Sequence, residues 1–150
     1  MEQTEREELM RQALELAREA AAAGEVPVGA LVLDGAGRII GRGRNRREER
    51  GATFHAEIEA INEACAALGT WRLNDCTLVV TLEPCPMCAG AIINARIPVL
   101  IYGAREEKSG SCGSVIDLFA ENYGFAPAVY GGILSDDCAA LLKSFFETLR

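Results

Sequence analysis

One histidine and one pair of closely spaced cysteines constrain this chain more than any other feature. His55 is the only histidine in the sequence, and Cys85 and Cys88 stand three apart just after Pro84. Zinc prefers thiolate sulfur and imidazole nitrogen, so a fold that uses all three donors must bring residue 55 and residues 85 and 88 to one place. The cysteine pair falls at the expected start of a helix, where both thiols can lie on one face. Unpaired N–H groups and the helix dipole there favour the thiolate forms.

The number of donors carries the chemistry. A structural zinc normally has four protein ligands, whereas one His and two Cys leave a position where water can bind and become acidic near neutral pH. Glu57 follows His55 by two residues, and in a regular helix that spacing turns side chains by roughly 200°, to opposite faces. His55 is therefore expected at an irregular helix entrance. Glu57 then stands beside the metal without binding it, placed to take a proton from water and deliver it to a leaving nitrogen. Taken singly, each piece has a plainer reading. A Cys-x-x-Cys serves redox or structural sites, a lone His is most often a surface or core residue, and a Glu on a helix is usually solvated. A thioredoxin-like dithiol would leave both His55 and Glu57 unexplained.

Apolar spacing places these residues on elements. Thr4 with Glu7 has the form of a capping box, and Leu9, Ala13, Leu16, Ala17 and Ala20 predict a helix over residues 5–23, ending at Gly24. Residues 28–33 and 38–43 around Asp34-Gly35 predict a hairpin, and residues 55–67 a second helix. The run 77–82 reads as a buried strand, 85–95 as a third helix and 98–102 as a further strand. Residues 103–113 read as a surface loop and 129–134 as the last strand, with Ser135 capping a C-terminal helix. Strands alternating with helices after an opening hairpin imply a mixed five-stranded sheet covered on both faces, a three-layer α/β/α sandwich forming one domain over residues 1–150.

Composition narrows the setting. The N-terminus is polar and acidic, and no run of about eighteen apolar residues occurs, which points to a soluble, cytoplasmic protein with no membrane association. Six cysteines without a secretory signal favour free thiols or metal over disulfides, and Cys65, Cys76, Cys112 and Cys138 read as buried or incidental thiols. The net charge of −7 would repel a polyanion, so a nucleic-acid partner needs a local basic patch. Arg42, Arg44, Arg46, Arg47 and Arg50 form the one candidate; a solvated loop is the plain alternative.

His55-Ala-Glu57 followed by Pro84-Cys-Pro-Met-Cys88 matches the signature of the zinc-dependent nucleobase deaminases. Further matches run through Glu25-Val-Pro-Val-Gly-Ala30, Asn45-Arg46, Thr81 to Ala91, Tyr102-Gly-Ala-Arg105, Gly113-Ser114 and Gly132 to Leu142. By these the chain resembles the bacterial tRNA-specific adenosine deaminases, of the cytidine-deaminase-like superfamily, over nearly its whole length.

The resemblance implies a cytidine-deaminase-like fold with one zinc per subunit, in a homodimer. It implies hydrolysis of adenosine to inosine at the wobble position of a tRNA anticodon, with the base flipped out of the loop. In that reading Asn45 hydrogen-bonds base or ribose, Val28, Leu82 and Pro84 pack around the ring, and Ala56 offers backbone contacts. Arg46, Arg105 and Lys108 become candidate RNA contacts, and Glu83 orients neighbouring loops. Asn45 as a turn residue, Val28 and Leu82 as core, and Glu83 as a surface carboxylate are the plain readings.

Glu106 stands where family members commonly carry Asp, and the sequence ends at Arg150 without the basic tail of some relatives. With the acidic net charge, these features imply weak or salt-sensitive tRNA binding. The nearest rival is a deaminase of a free nucleobase or nucleotide such as cytosine, guanine or deoxycytidylate. A different class is a silent zinc-binding accessory subunit, against which Glu57 argues, since such a subunit needs no proton carrier.

Overall fold

The computed structural model describes residues 1–149; Arg150, beyond which a basic tail would extend, lies outside the described residues. Its helices are α1 (Gln3–Ala22), α2 (Arg47–Arg50), α3 (Ala56–Leu68), α4 (Pro86–Ala95) and α5 (Ser135–Thr148). Its strands are β1 (Gly29–Leu33), β2 (Ile39–Arg44), β3 (Thr77–Leu82), β4 (Val99–Ala104) and β5 (Ala128–Tyr130). They form one five-stranded sheet in the order β2-β1-β3-β4-β5. β1 pairs antiparallel with β2 and β3, whereas β3, β4 and β5 run parallel, so the sheet is mixed as expected.

Side-chain alternation builds the layers. Ala30, Val32, Leu78, Val80, Leu100 and Tyr102 face one side, where they pack with Ala56, Ala60 and Ile61 of α3 and Ile92 of α4. Their neighbours Leu31, Leu33, Val79 and Ile101 face the other side, with Met10, Ala13 and Leu14 of α1 and Cys138 of α5. A strand covered on both faces has no polar side to show, which is why β1 and β3 read as nearly unbroken apolar runs. The result is the α/β/α sandwich.

Close packing sets where α3 begins. Ala56, Ala60 and Ala64 recur at i+4 spacing and are fully buried, facing Gly41 and Gly43 of β2. A Cβ on Gly43 would lie 2.1 Å from the Ala56 carbonyl oxygen, and one on Gly41 equally close to that of Ala60. Small residues on both partners thus press the first turn of α3 against the sheet, and His55 immediately precedes that turn.

Several local expectations are corrected. Helix α1 begins at Gln3 with Glu2 as its cap and no side-chain cap bond, so Thr4 lies inside the helix and closes no capping box. Ser135 does not cap α5: the cap is Leu134, in the left-handed conformation (φ 52°), and its carbonyl accepts from the Cys138 N–H. The last strand stops at Tyr130, although Gly132 and Ile133 still donate to Gly103 and Tyr102 of β4. Strand β4 runs on to Ala104, shortening the expected loop, and the arginine-rich stretch contains the unforeseen one-turn helix α2. Both depend on partners distant in sequence. Among the described residues, no helix is long and apolar enough to cross a membrane.

Candidate active site

His55 and Cys85 occupy equivalent places, each the residue just before a helix. His55 caps α3 in an extended conformation (φ −78°, ψ 156°), and Cys85 caps α4 likewise (φ −74°, ψ 175°). Pro86 then opens α4, where its missing N–H costs nothing. The extended backbone at residue 55 is the irregular entrance the His-x-Glu spacing demands: His55 stands outside the helix and Glu57 within its first turn.

The three donors meet. His55 Nδ1 lies 3.6 Å from Cys85 Sγ and 3.6 Å from Cys88 Sγ. All three ligand atoms fall within 4.8 Å of one another. Zinc–nitrogen and zinc–sulfur bonds of about 2.05 and 2.3 Å at a tetrahedral angle put N and S about 3.6 Å apart, so the donor set fits that ion. Among the described residues, no other cluster of His, Cys, Asp and Glu side chains is arranged to hold a metal.

Electrostatics distinguish the members. The hydrogen bond from Cys88 holds the Cys85 thiol down at about 4, overcoming burial. Cys88 is pushed far up by the Cys85 sulfur and by its burial, so without metal the pair carries one thiolate and one thiol. The Cys85 sulfur also raises the His55 imidazole above its ordinary value. Glu57 is 4% exposed, and burial pushes its carboxyl up to about 7, the range suited to passing protons at neutral pH.

A pocket opens onto these groups. His55, Glu57 and Cys85 line it together with Val28, Asn45, Ala56 and Leu82, all foreseen from the sequence. Asn45 is 8% exposed; its amide donates to the Val26 carbonyl and its oxygen accepts from the Arg47 N–H, so it is also a turn residue. Pro84 is buried outside the pocket lining, its carbonyl accepting from Ser111 N–H at 2.9 Å. Arg46 is held by Glu59 at 2.7 Å and Glu49 at 3.1 Å. Arg105 is exposed and donates to Ser114 Oγ, and Lys108 is exposed on the same loop. None of these three lines the pocket.

Arg47, Glu106 and Ser109 do line it; Arg47 stood out in the sequence only as one member of the basic patch, Glu106 only as a departure from the family's Asp, and Ser109 not at all. Glu83, suspected of orienting loops, is 2% exposed and has four donors. Its carboxylate accepts from the N–H groups of Glu106, Cys112 and Ser114 at 3.0–3.1 Å and from the Ser114 hydroxyl. Burial pushes this carboxyl up, but the donors outweigh burial and hold it below the ordinary range. Glu25, also 2% exposed, accepts from the N–H groups of Glu48 and Glu49 at 2.9 Å. An acid inside an otherwise apolar motif was the only sequence signal for it.

Comparison with known proteins places the chain among deaminases. The family of MafB19-like deaminases matches residues 4–150. The chain belongs to that family. It is 44% identical over 149 residues to the tRNA-specific adenosine deaminase of Bacillus subtilis (strain 168), covering 98% of this chain and 92% of that protein. It is 53% identical over 142 residues to the tRNA(Ile)-lysidine synthase of Deinococcus radiodurans, covering 94% of this chain. The chain spans about a quarter, 24%, of that relative's length. A solved structure from a study of A-to-I editing by tRNA:A34 deaminases superposes with a TM-score of 0.86 at 44% identity, covering 89% of this chain and 98% of that one. The resemblance to bacterial tRNA-specific adenosine deaminases and the expected deaminase fold are thus both met.

Proposed function

We propose that this MafB19-like deaminase hydrolyses adenosine to inosine at the wobble position of a tRNA anticodon, using one zinc ion held by His55, Cys85 and Cys88. The observation that carries the reading is the meeting of three metal donors, two of which, His55 and Cys85, line one pocket with the buried Glu57 carboxylate, Val28 and Leu82. The relative of 44% identity, named for tRNA-specific adenosine deamination, supports the substrate.

Zinc bound there would supply Lewis acidity that makes water nucleophilic near neutral pH. Glu57 takes the proton released as water adds to carbon six of the purine, and passes it to the exocyclic nitrogen, which leaves as ammonia. Val28 and Leu82 hold the flipped ring, and Ala56 offers backbone contacts. Asn45 uses one amide hydrogen and its oxygen within the protein, leaving a second hydrogen for base or ribose. Pro84 acts from behind the wall, and Arg46, Arg105 and Lys108 act at the periphery of the RNA surface. The domain would cover residues 1–150 and work as a cytoplasmic homodimer; Leu68 and Trp71, 45% and 54% exposed beside the end of α3, support a covered surface there.

Purified protein incubated with a tRNA anticodon stem-loop bearing the target adenosine tests this reading. Free adenosine, cytosine, guanine and deoxycytidylate run in parallel. Inosine in the stem-loop is expected; conversion of the free compounds alone would assign the chain to free-base or nucleotide deamination instead.

A further inference from the structure

The arginine-rich stretch resolves into cations already engaged and cations left free. Arg44 pairs with Glu49 at 3.5 Å, Arg46 with Glu59 and Glu49, and Arg50 with Glu49 at 3.5 Å. Among the described residues, Arg42 and Arg47 are exposed and have no carboxylate at ion-pair distance. Of the stretch, only Arg47 lines the pocket, where the other ionisable lining groups are His55, Cys85, Glu57, Glu83 and Glu106.

The backbone under Arg47 is firmly held. Asn45 Oδ1 accepts from the Arg47 N–H at 3.0 Å, and the two oxygens of Glu25 accept from Glu48 and Glu49. Three successive amides are thereby fixed by two buried side chains. Burying a carboxylate is costly unless it is well hydrogen-bonded, and Glu25 takes no part in the proposed chemistry. What Glu25 secures is the placement of the short helix that carries Arg47 to the pocket mouth.

An acidic pocket in a chain of net charge −7 repels a phosphodiester wherever no cation meets it. Arg47 is an unpaired guanidinium at that mouth, and a guanidinium fork matches two phosphate oxygens. We propose that Arg47 binds the phosphodiester beside the target nucleotide, and so recruits a polynucleotide to a pocket that would otherwise admit only a nucleoside. The assignment rests on the proposed function and names the part of the substrate that the chemistry leaves unexplained.

The test uses the zinc-loaded protein and the adenosine-bearing stem-loop. Arg47→Gln raises KM about tenfold, with kcat changed less than about twofold. It also lowers the slope of log affinity against log salt by about 0.7, the share of one phosphate contact on a single strand. Arg47→Lys, which keeps the charge but loses the fork, falls between. Arg11→Gln, an exposed arginine on α1 across the sheet, leaves KM and slope as in the wild type. Editing by Arg47→Gln with wild-type KM and salt slope overturns the assignment alone, as does a loss confined to kcat. A wild-type protein that converts free adenosine but not the stem-loop overturns the proposed function, and this inference with it.

Discussion

Glycine at position 110 leaves room for the Glu83 carboxylate, and that space allows a quantitative prediction. A Cβ on Gly110 would lie 2.3 Å from the Glu106 carbonyl oxygen, 2.5 Å from Glu83 Cδ and 2.6 Å from Glu83 Oε1. The Glu106 oxygen is backbone, and it already accepts from Gly110 N–H at 2.8 Å, so the carboxylate or the whole loop must move. Either movement breaks donors away from Glu83. In Glu83→Gln, one oxygen still accepts, but the new NH₂ faces either the N–H groups of Cys112 and Ser114, on the Oε2 side, or the Glu106 N–H and the Ser114 hydroxyl, on the Oε1 side. Two charge-assisted bonds lost in a buried site cost about 3 kcal/mol, or roughly 10 °C in Tm for a chain of this size. Ser114→Ala removes one donor and leaves three, costing about 1.5 kcal/mol. Thermal unfolding of the zinc-loaded variants should therefore rank Ser114→Ala above Glu83→Gln, with Gly110→Ala at least as unstable as Glu83→Gln. A Gly110→Ala protein that melts with the wild type would refute the reasoning, because it would show that the loop is not pinned to the carboxylate.

Replacing Glu57 by Ala should leave bound zinc stoichiometric while reducing deamination at least about a hundredfold, measured by metal analysis beside an inosine assay. Activity retained in that variant would remove Glu57 from proton transfer. Cys88→Ala should lose both metal and activity, and full zinc content would show that the ligand set is wrong. In metal-free protein at pH 6, iodoacetamide should label Cys85 first. Its thiolate is populated above about pH 4, whereas Cys65, Cys76, Cys88, Cys112 and Cys138 are all raised above the ordinary thiol range. The labelling rate should stay nearly flat from about pH 5 to 8, and zinc should abolish it; a rate climbing tenfold per pH unit across that span would place the Cys85 thiol near its ordinary value.

The His55, Cys85 and Cys88 donor cluster and the layers of the fold could be read from the sequence because both depend on residue identity and local spacing. One histidine leaves no choice of nitrogen donor, the His-x-Glu interval demands a break at a helix start, and apolar runs such as Thr77–Leu82 have no solvated face to offer. The tertiary structure decided matters that turn on partners distant in the chain. Glu25 and Glu83 look alike as acids in apolar motifs, yet each earns its burial from amides about 20 to 30 residues away. The same holds for the five arginines between residues 42 and 50, alike in type. Glu49 and Glu59 pair with Arg44, Arg46 and Arg50, while Asn45 and Glu25 hold the backbone at and just after Arg47, which lines the pocket. Hydrogen bonds and ion pairs act only over a few ångströms, so which of several identical side chains is spent inside the protein, and which is left for a substrate, is settled only when the chain has closed on itself.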